Sequence, residues 1–92
     1  MKTNEYFDGK VKSLAVENTE GIATVGVIVP GEYEFGTSTI EIMRVIFGSM
    51  DVQLPGSANW ATYANGSTFR IEKGEKFKVR ASMQVAYLCQ YL

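Results

Sequence analysis

Apolar and polar side chains alternate with a period of two over short stretches of this chain. Phe77 and Val79 sit between Lys76, Lys78 and Arg80, Phe69 and Ile71 flank Arg70, and Met43 and Val45 flank Arg44. That period belongs to strands with one buried face. It predicts strands over 11–17, 22–29, 33–37, 41–47, 50–54, 60–63, 67–71, 76–80 and 84–91. Pro30-Gly31, Gly48-Ser49, Pro55-Gly56, Asn65-Gly66 and Lys73-Gly74 punctuate the ends, where Gly and Asn accept turn backbones and Pro presets one. Many short strands with turn signals predict an antiparallel sandwich or barrel with almost no helix. Ser38-Thr39-Ile40-Glu41 has the spacing of a helical capping box. Strand is expected there nonetheless, because Ile40, Ile42, Val45 and Ile46 are β-branched and Gly48 ends the run too soon for a stable helix.

Ninety-two residues leave room for one domain, 1–92, with a modest core that self-association would help. The net charge of −1 argues against a nucleic-acid partner attracted by bulk charge. It conceals an asymmetry: residues 1–46 carry four cations and seven anions, residues 47–92 five cations and three anions. No run approaches membrane-spanning length, and Met1-Lys2 leads into polar Thr3-Asn4-Glu5, so a cytoplasmic protein is expected. The chain has no histidine, which removes the commonest general base and the commonest transition-metal ligand together. The one cysteine, Cys89, rules out an internal disulfide and, with no base to activate it, reads as a small core residue.

Glycine-rich phosphate loops, paired CxxC and Ser/His or Cys/His arrangements are all missing. Two spacings remain. Glu41 is followed by six residues and Gly48, after Gly31-Glu32-Tyr33-Glu34-Phe35-Gly36-Thr37; Gly66 is followed by five residues, Glu72-Lys73-Gly74, two more residues and Phe77. These resemble the two motifs of the cupins, small jelly-roll barrels of the RmlC-like type. Phe35 and Thr37 stand where metal-binding cupins carry His-x-His, and Phe77 replaces the last metal-binding His. Of the usual ligand set Glu41 alone survives, and one carboxylate cannot hold a catalytic transition metal, so no metal and no cofactor are expected.

A fuller resemblance runs from Asn4-Glu5-Tyr6-Phe7 and Gly9-Lys10-Val11-Lys12-Ser13 through Val25-Gly26-Val27, Gly31-Glu32-Tyr33, Leu54-Pro55, Trp60, Tyr63 and Gly66-Ser67 to Tyr87-Leu88-Cys89 and Tyr91-Leu92. In order, spacing and length it is similar to the small bacterial pyrimidine/purine nucleoside phosphorylases, metal-free cupin-like proteins. The resemblance implies phosphorolysis of nucleosides to free base and pentose 1-phosphate, with nucleosides and orthophosphate as ligands. A homodimer follows from fold analogy. A non-catalytic cupin that binds a sugar or nucleoside is the alternative, and a sugar-nucleotide isomerase is disfavoured by the absence of histidine.

Cleaving an N-glycosidic bond develops positive charge on the sugar, which a nearby carboxylate stabilises. Glu41 is the candidate, since the cupin register points it into the barrel beside Phe35 and Thr37. Broad base acceptance suits stacking walls, for which Tyr33, Phe35, Trp60, Phe77 and Tyr87 are candidates. Phosphate requires Arg, Lys or backbone N–H groups. Strand parity, however, turns Arg44, Arg70, Lys76, Lys78 and Arg80 outward and leaves the interior without a cation. Arg44 and Arg70 are the phosphate candidates, reached through a bulge or a second subunit, with Lys10 or Lys12 at the barrel mouth as a third route. The Lys76, Lys78 and Arg80 alternation reads as a solvated face that discourages edge pairing.

Overall fold

The computed structural model describes all 92 residues. Ten strands follow one another: β1 Thr3–Tyr6, β2 Val11–Asn18, β3 Gly21–Ile28, β4 Gly31–Gly36, β5 Glu41–Phe47, β6 Ser49–Gln53, β7 Ala61–Ala64, β8 Thr68–Ile71, β9 Lys76–Ala81 and β10 Val85–Tyr91. They form a six-stranded sheet in the order β1-β2-β3-β10-β5-β8 and a four-stranded sheet in the order β4-β9-β6-β7, with every pairing antiparallel. Chain neighbours β3 and β4 thus lie in opposite sheets, as do β5 and β6, which is the jelly-roll arrangement expected. The sheets face each other without joining into one hydrogen-bonded ring.

The period-two alternation decides what lies between them. Along β9 Phe77 and Val79 are buried while Lys76, Lys78 and Arg80 are exposed, and along β8 Phe69 and Ile71 are buried beside exposed Arg70. The inner faces supply a core of 14 apolar residues, among them Val11, Ile28, Val45, Val52, Val79 and Val85 with no accessible surface. The β-branched side chains that favour strands locally are therefore the same ones that fill the core.

Strand β1 is not among the expected elements, because Thr3-Asn4-Glu5-Tyr6 has no apolar alternation. Pairing to β2 holds it instead, from Thr3 opposite Leu14 to Tyr6 opposite Val11. Asn4 Nδ2 donates to Ser13 Oγ at 3.3 Å, and Lys12 reaches Glu5 at 3.4 Å. Trp60, expected to start a strand, precedes β7 instead. The run after Ser38 is a strand from Glu41 onward, and the Asn65-Gly66 turn forms with Gly66 at φ 84°. No helix is long and apolar enough to cross a membrane.

Candidate functional site

A cavity of about 340 Å³ opens between the sheets. Its walls come from both layers: Phe35 of β4 and Phe77 of β9 on one side, Glu41 and Met43 of β5 with Tyr87, Cys89 and Tyr91 of β10 on the other. Tyr6, Phe7 and Ser13 from β1, β2 and their connecting turn complete the rim, with Glu34 and Ser38. The size is near the lower end for small-molecule sites, fitting a ligand of a few fused or linked rings.

The aromatic wall is continuous. Phe35 and Phe77 stack at 5.6 Å between centroids and 27° between planes, and Phe77 meets Phe69 edge-on at 6.0 Å. Phe7 packs on Tyr33 at 5.0 Å and edge-on against Phe35 at 5.5 Å. It does so from a left-handed backbone, φ 54°, followed by Asp8 at 57°, a conformation that costs non-glycine residues energy.

Glu41 is the half-buried carboxylate of the site. Burial raises its pKa above the ordinary 4.5, and a hydrogen bond from the Cys89 thiol to Oε1, 3.3 Å long, works against that rise. The Cys89 thiol is itself pushed up to about 12 by burial and by the adjacent Glu41 charge, so it stays protonated and donates. Tyr87 is likewise pushed up to about 12, chiefly by burial. Its phenol lies against the backbone of Gly26, directly across the β3–β10 pairing.

The structure brings Glu41, Phe35, Phe77 and Tyr87 together around one space and sends the other sequence candidates elsewhere. Tyr33 is buried just behind Phe7 and Phe35, and its hydroxyl donates to the Val29 carbonyl at 2.7 Å. Thr37 clips a loop: its hydroxyl donates to the Glu72 carbonyl at 2.7 Å and accepts the Glu75 N–H at 3.0 Å. Trp60 lies under the Arg80 guanidinium, 4.2 Å from the ring centroid. Arg44 and Arg70 are exposed on strands whose inward positions are Met43, Val45, Phe69 and Ile71. Arg70 is also paired with Glu72 at 2.6 Å.

No Lys or Arg lines the cavity, and Lys12, at its rim in sequence, is exposed and paired with Glu5. A more open depression of about 450 Å³ includes Arg80, but Asp51 already binds that guanidinium at 3.1 Å. No three acidic or cysteine side chains gather where they could hold a metal ion. Sequence reasoning does not single out Tyr6, Phe7, Ser13, Cys89 or Tyr91 as site residues. Parity along β10 places Cys89 and Tyr91 on the face of Tyr87, a legible signal, whereas Tyr6 and Phe7 depend on the unforeseen β1.

A family model described as pyrimidine/purine nucleoside phosphorylase matches residues 1–91. Curated relatives of that name include one from Pseudomonas putida, 56% identical and covering 99% of this chain and 97% of its own, and one from Pseudomonas aeruginosa, 53% identical over 99% and 98%. Among solved structures, a protein of unknown function from Vibrio parahaemolyticus is 43% identical with a TM-score of 0.95, covering 99% of this chain and 97% of that one. An RmlC-like cupin from Shewanella frigidimarina superposes with a TM-score of 0.77 at 14% identity, covering 95% and 79%, a likeness of fold alone. On the full-length match, this chain belongs to the pyrimidine/purine nucleoside phosphorylase family.

Proposed function

We propose that this chain cleaves the N-glycosidic bond of purine and pyrimidine nucleosides with orthophosphate, releasing free base and pentose 1-phosphate, and that the cavity between the sheets is where it does so. The observation that carries the site is a single desolvated carboxylate, Glu41, in a cavity walled by Phe35, Phe77 and Tyr87. As the bond from C1′ to the base lengthens, its electron pair leaves with the base and positive charge grows on the sugar. A carboxylate held away from water interacts with that charge far more strongly than a solvated one. The rings offer a π-face to any base, which suits broad specificity. Glu41 is the catalytic residue of this reading, and Phe35, Phe77 and Tyr87 are its substrate walls.

We assign no metal to the reaction, since Phe35, Thr37 and Phe77 stand where metal-binding cupins carry histidines. The cation for phosphate lies outside the cavity wall. Leu14 of β2, Val25 of β3, Leu88 of β10 and Arg44 of β5 stand side by side across the outer face of the large sheet, with Val16 and Val27 nearby. Leu14, Val16, Val25 and Val27 are 40–46% exposed. Such a contiguous apolar face is what a second copy covers, so we assign a C2 homodimer and carry Arg44, at the end of that row, forward as the phosphate arginine. We place the protein in the cytoplasm, in keeping with its one unpaired, buried cysteine.

The test is incubation with uridine, inosine, guanosine and adenosine, with and without phosphate, reading free base by chromatography. Release that depends on phosphate is expected, and Arg44→Ala should raise the KM for phosphate. Saturable nucleoside binding with no base released in either buffer would replace the phosphorylase with a binding cupin.

A further inference from the structure

Cys89 and Tyr91 are polar groups of the cavity to which the proposed reaction gives no role. Cys89 is 2% exposed, and its sulfur lies 3.3 Å from Oε1 of Glu41. Two residues along the same inward face of β10, the Tyr91 hydroxyl lies 3.0 Å from Oγ1 of Thr24, a residue buried on β3. The donor that reaches Glu41 is the Cys89 thiol, and the carboxylate it meets lines the cavity with the stacked Phe35 and Phe77 rings.

We infer that Cys89 is a positioning residue that holds the Glu41 carboxylate in one orientation through a thiol donor. This rests on Glu41 being the carboxylate that meets the sugar. A carboxylate with both oxygens free rotates about its terminal torsion, which is broad and weakly restrained. A donor fixed on β10 removes that freedom, because Cys89 is locked opposite Met43 in the β5–β10 ladder, with Tyr91 opposite Glu41 itself. A thiol is well matched to this role, because when buried away from any base it keeps its proton and donates, where a histidine or lysine would carry charge into the site.

Other groups around Glu41 do not substitute for it. Tyr87, also on β10, contributes like-charge repulsion only when ionised, and burial keeps it neutral. Glu34 of β4 and Tyr6 of β1 line the same cavity, the first adding negative charge. Arg70 and Glu72, beside the β8 residue that pairs with Glu41, neutralise each other at the surface.

The experiment uses the full chain with Cys89→Ala, Cys89→Ser, Cys89→Val and Glu41→Gln, each checked for fold by circular dichroism. Two readouts are taken: titration of the Glu41 carboxyl by carbon NMR, assigned by its loss in Glu41→Gln, and the pH profile of uridine phosphorolysis. Cys89→Ala should move the carboxyl titration and the acid limb of the profile to higher pH. It should lower kcat about fivefold with KM changed less than about twofold. Cys89→Ser, which restores a donor, should return both toward the parent. A titration unmoved in Cys89→Ala, or unrestored by serine in a folded protein, overturns the inference while leaving Glu41 in place if Glu41→Gln is inactive. Full activity in Glu41→Gln removes both. Should Cys89→Ala fail to fold, Cys89→Val, which fills the volume without a donor, decides in its place by moving or not moving the titration.

Discussion

Gly26 carries a prediction whose sign depends on the cavity wall. It is buried in the middle of β3 opposite Tyr87, and a Cβ built there would lie 2.6 Å from Cε1, Cζ and Oη of that ring. Carbon contacts settle at about 3.5–4 Å, so the ring would have to retreat by about 1 Å, and the free space on its other side is the cavity. Two effects compete in Gly26→Ala. Losing the unfolded-state freedom of glycine in a strand favours the variant by about 0.5–1 kcal/mol. Overpacking a rigid ring costs about 1–3 kcal/mol and is expected to win. The net cost is about 1 kcal/mol at mid-range, so at roughly 4–8 °C per kcal/mol for a domain of this size Tm should fall by about 5–10 °C.

Displacing a wall of the site by about 1 Å should also lower kcat/KM by about 10- to 100-fold, since that scale of misplacement is enough to spoil a reactive geometry. Differential scanning calorimetry and steady-state phosphorolysis measure the two effects, and Gly26→Ala combined with Tyr87→Val tests their cause. With the ring gone, the alanine should become neutral or stabilising, a coupling that only residues in contact produce. A single Gly26→Ala variant that is more stable than the parent with an unchanged KM would show that Tyr87 does not depend on the missing Cβ.

Glu41→Gln should lower turnover at least about tenfold while raising stability at neutral pH. A folded-state carboxyl raised above 4.5 keeps its proton longer than in the unfolded chain, so stability falls as pH rises through 4.5 to the raised value and stays lower above it. Glutamine removes that loss: its Tm should exceed the parent's at pH 7 and match it below 4.5, and the reverse order at pH 7 would contradict a desolvated carboxylate. Thr37→Val should cost about 1–2 kcal/mol by breaking the clip to Glu72 and Glu75 while leaving the nucleoside KM unchanged, as thermal unfolding and kinetics together would report. Cys89, with a thiol pushed up to about 12, should resist iodoacetamide at pH 8 in the folded protein and react promptly in denaturant, read by mass spectrometry.

Strand positions were legible because period-two alternation is a direct record of which face is buried, and β8 and β9 follow it residue by residue. The same parity placed Phe77 on an inner face and turned every arginine outward, while the cupin register pointed Glu41 inward. The cavity rim lay beyond its reach. β1 is polar along its length and is held by β2, so nothing local in Thr3-Asn4-Glu5-Tyr6 announces a strand, and the Phe7 ring it delivers to the rim was missed with it. Thr37 and Trp60 show the opposite failure. Both have the chemistry of a binding residue, but the Thr37 hydroxyl is satisfied by the backbone of Glu72 and Glu75, and Trp60 by the Arg80 guanidinium. Residue type cannot distinguish a group free to meet a ligand from one already engaged. Only three-dimensional hydrogen-bond partners do.

Phosphorolysis places two charge demands on a site, one for a sugar that becomes positive and one for a dianion, and the inner wall of this protein answers the first alone. Glu41 stands there with aromatic rings and no cation, while exposed Glu34 adds a second carboxylate at the rim. A phosphate drawn deep between the sheets would face the Glu41 carboxylate at low dielectric, where like charges repel most. The geometry is resolved if the nucleoside fills the aromatic depth and phosphate approaches C1′ from the mouth, near solvent. The jelly roll imposes this division. Its inward positions are claimed by alternating apolar residues that build the core, so the long cationic side chains of the same strands are left on the outer faces, and the negative partner of the reaction must be met where those faces end.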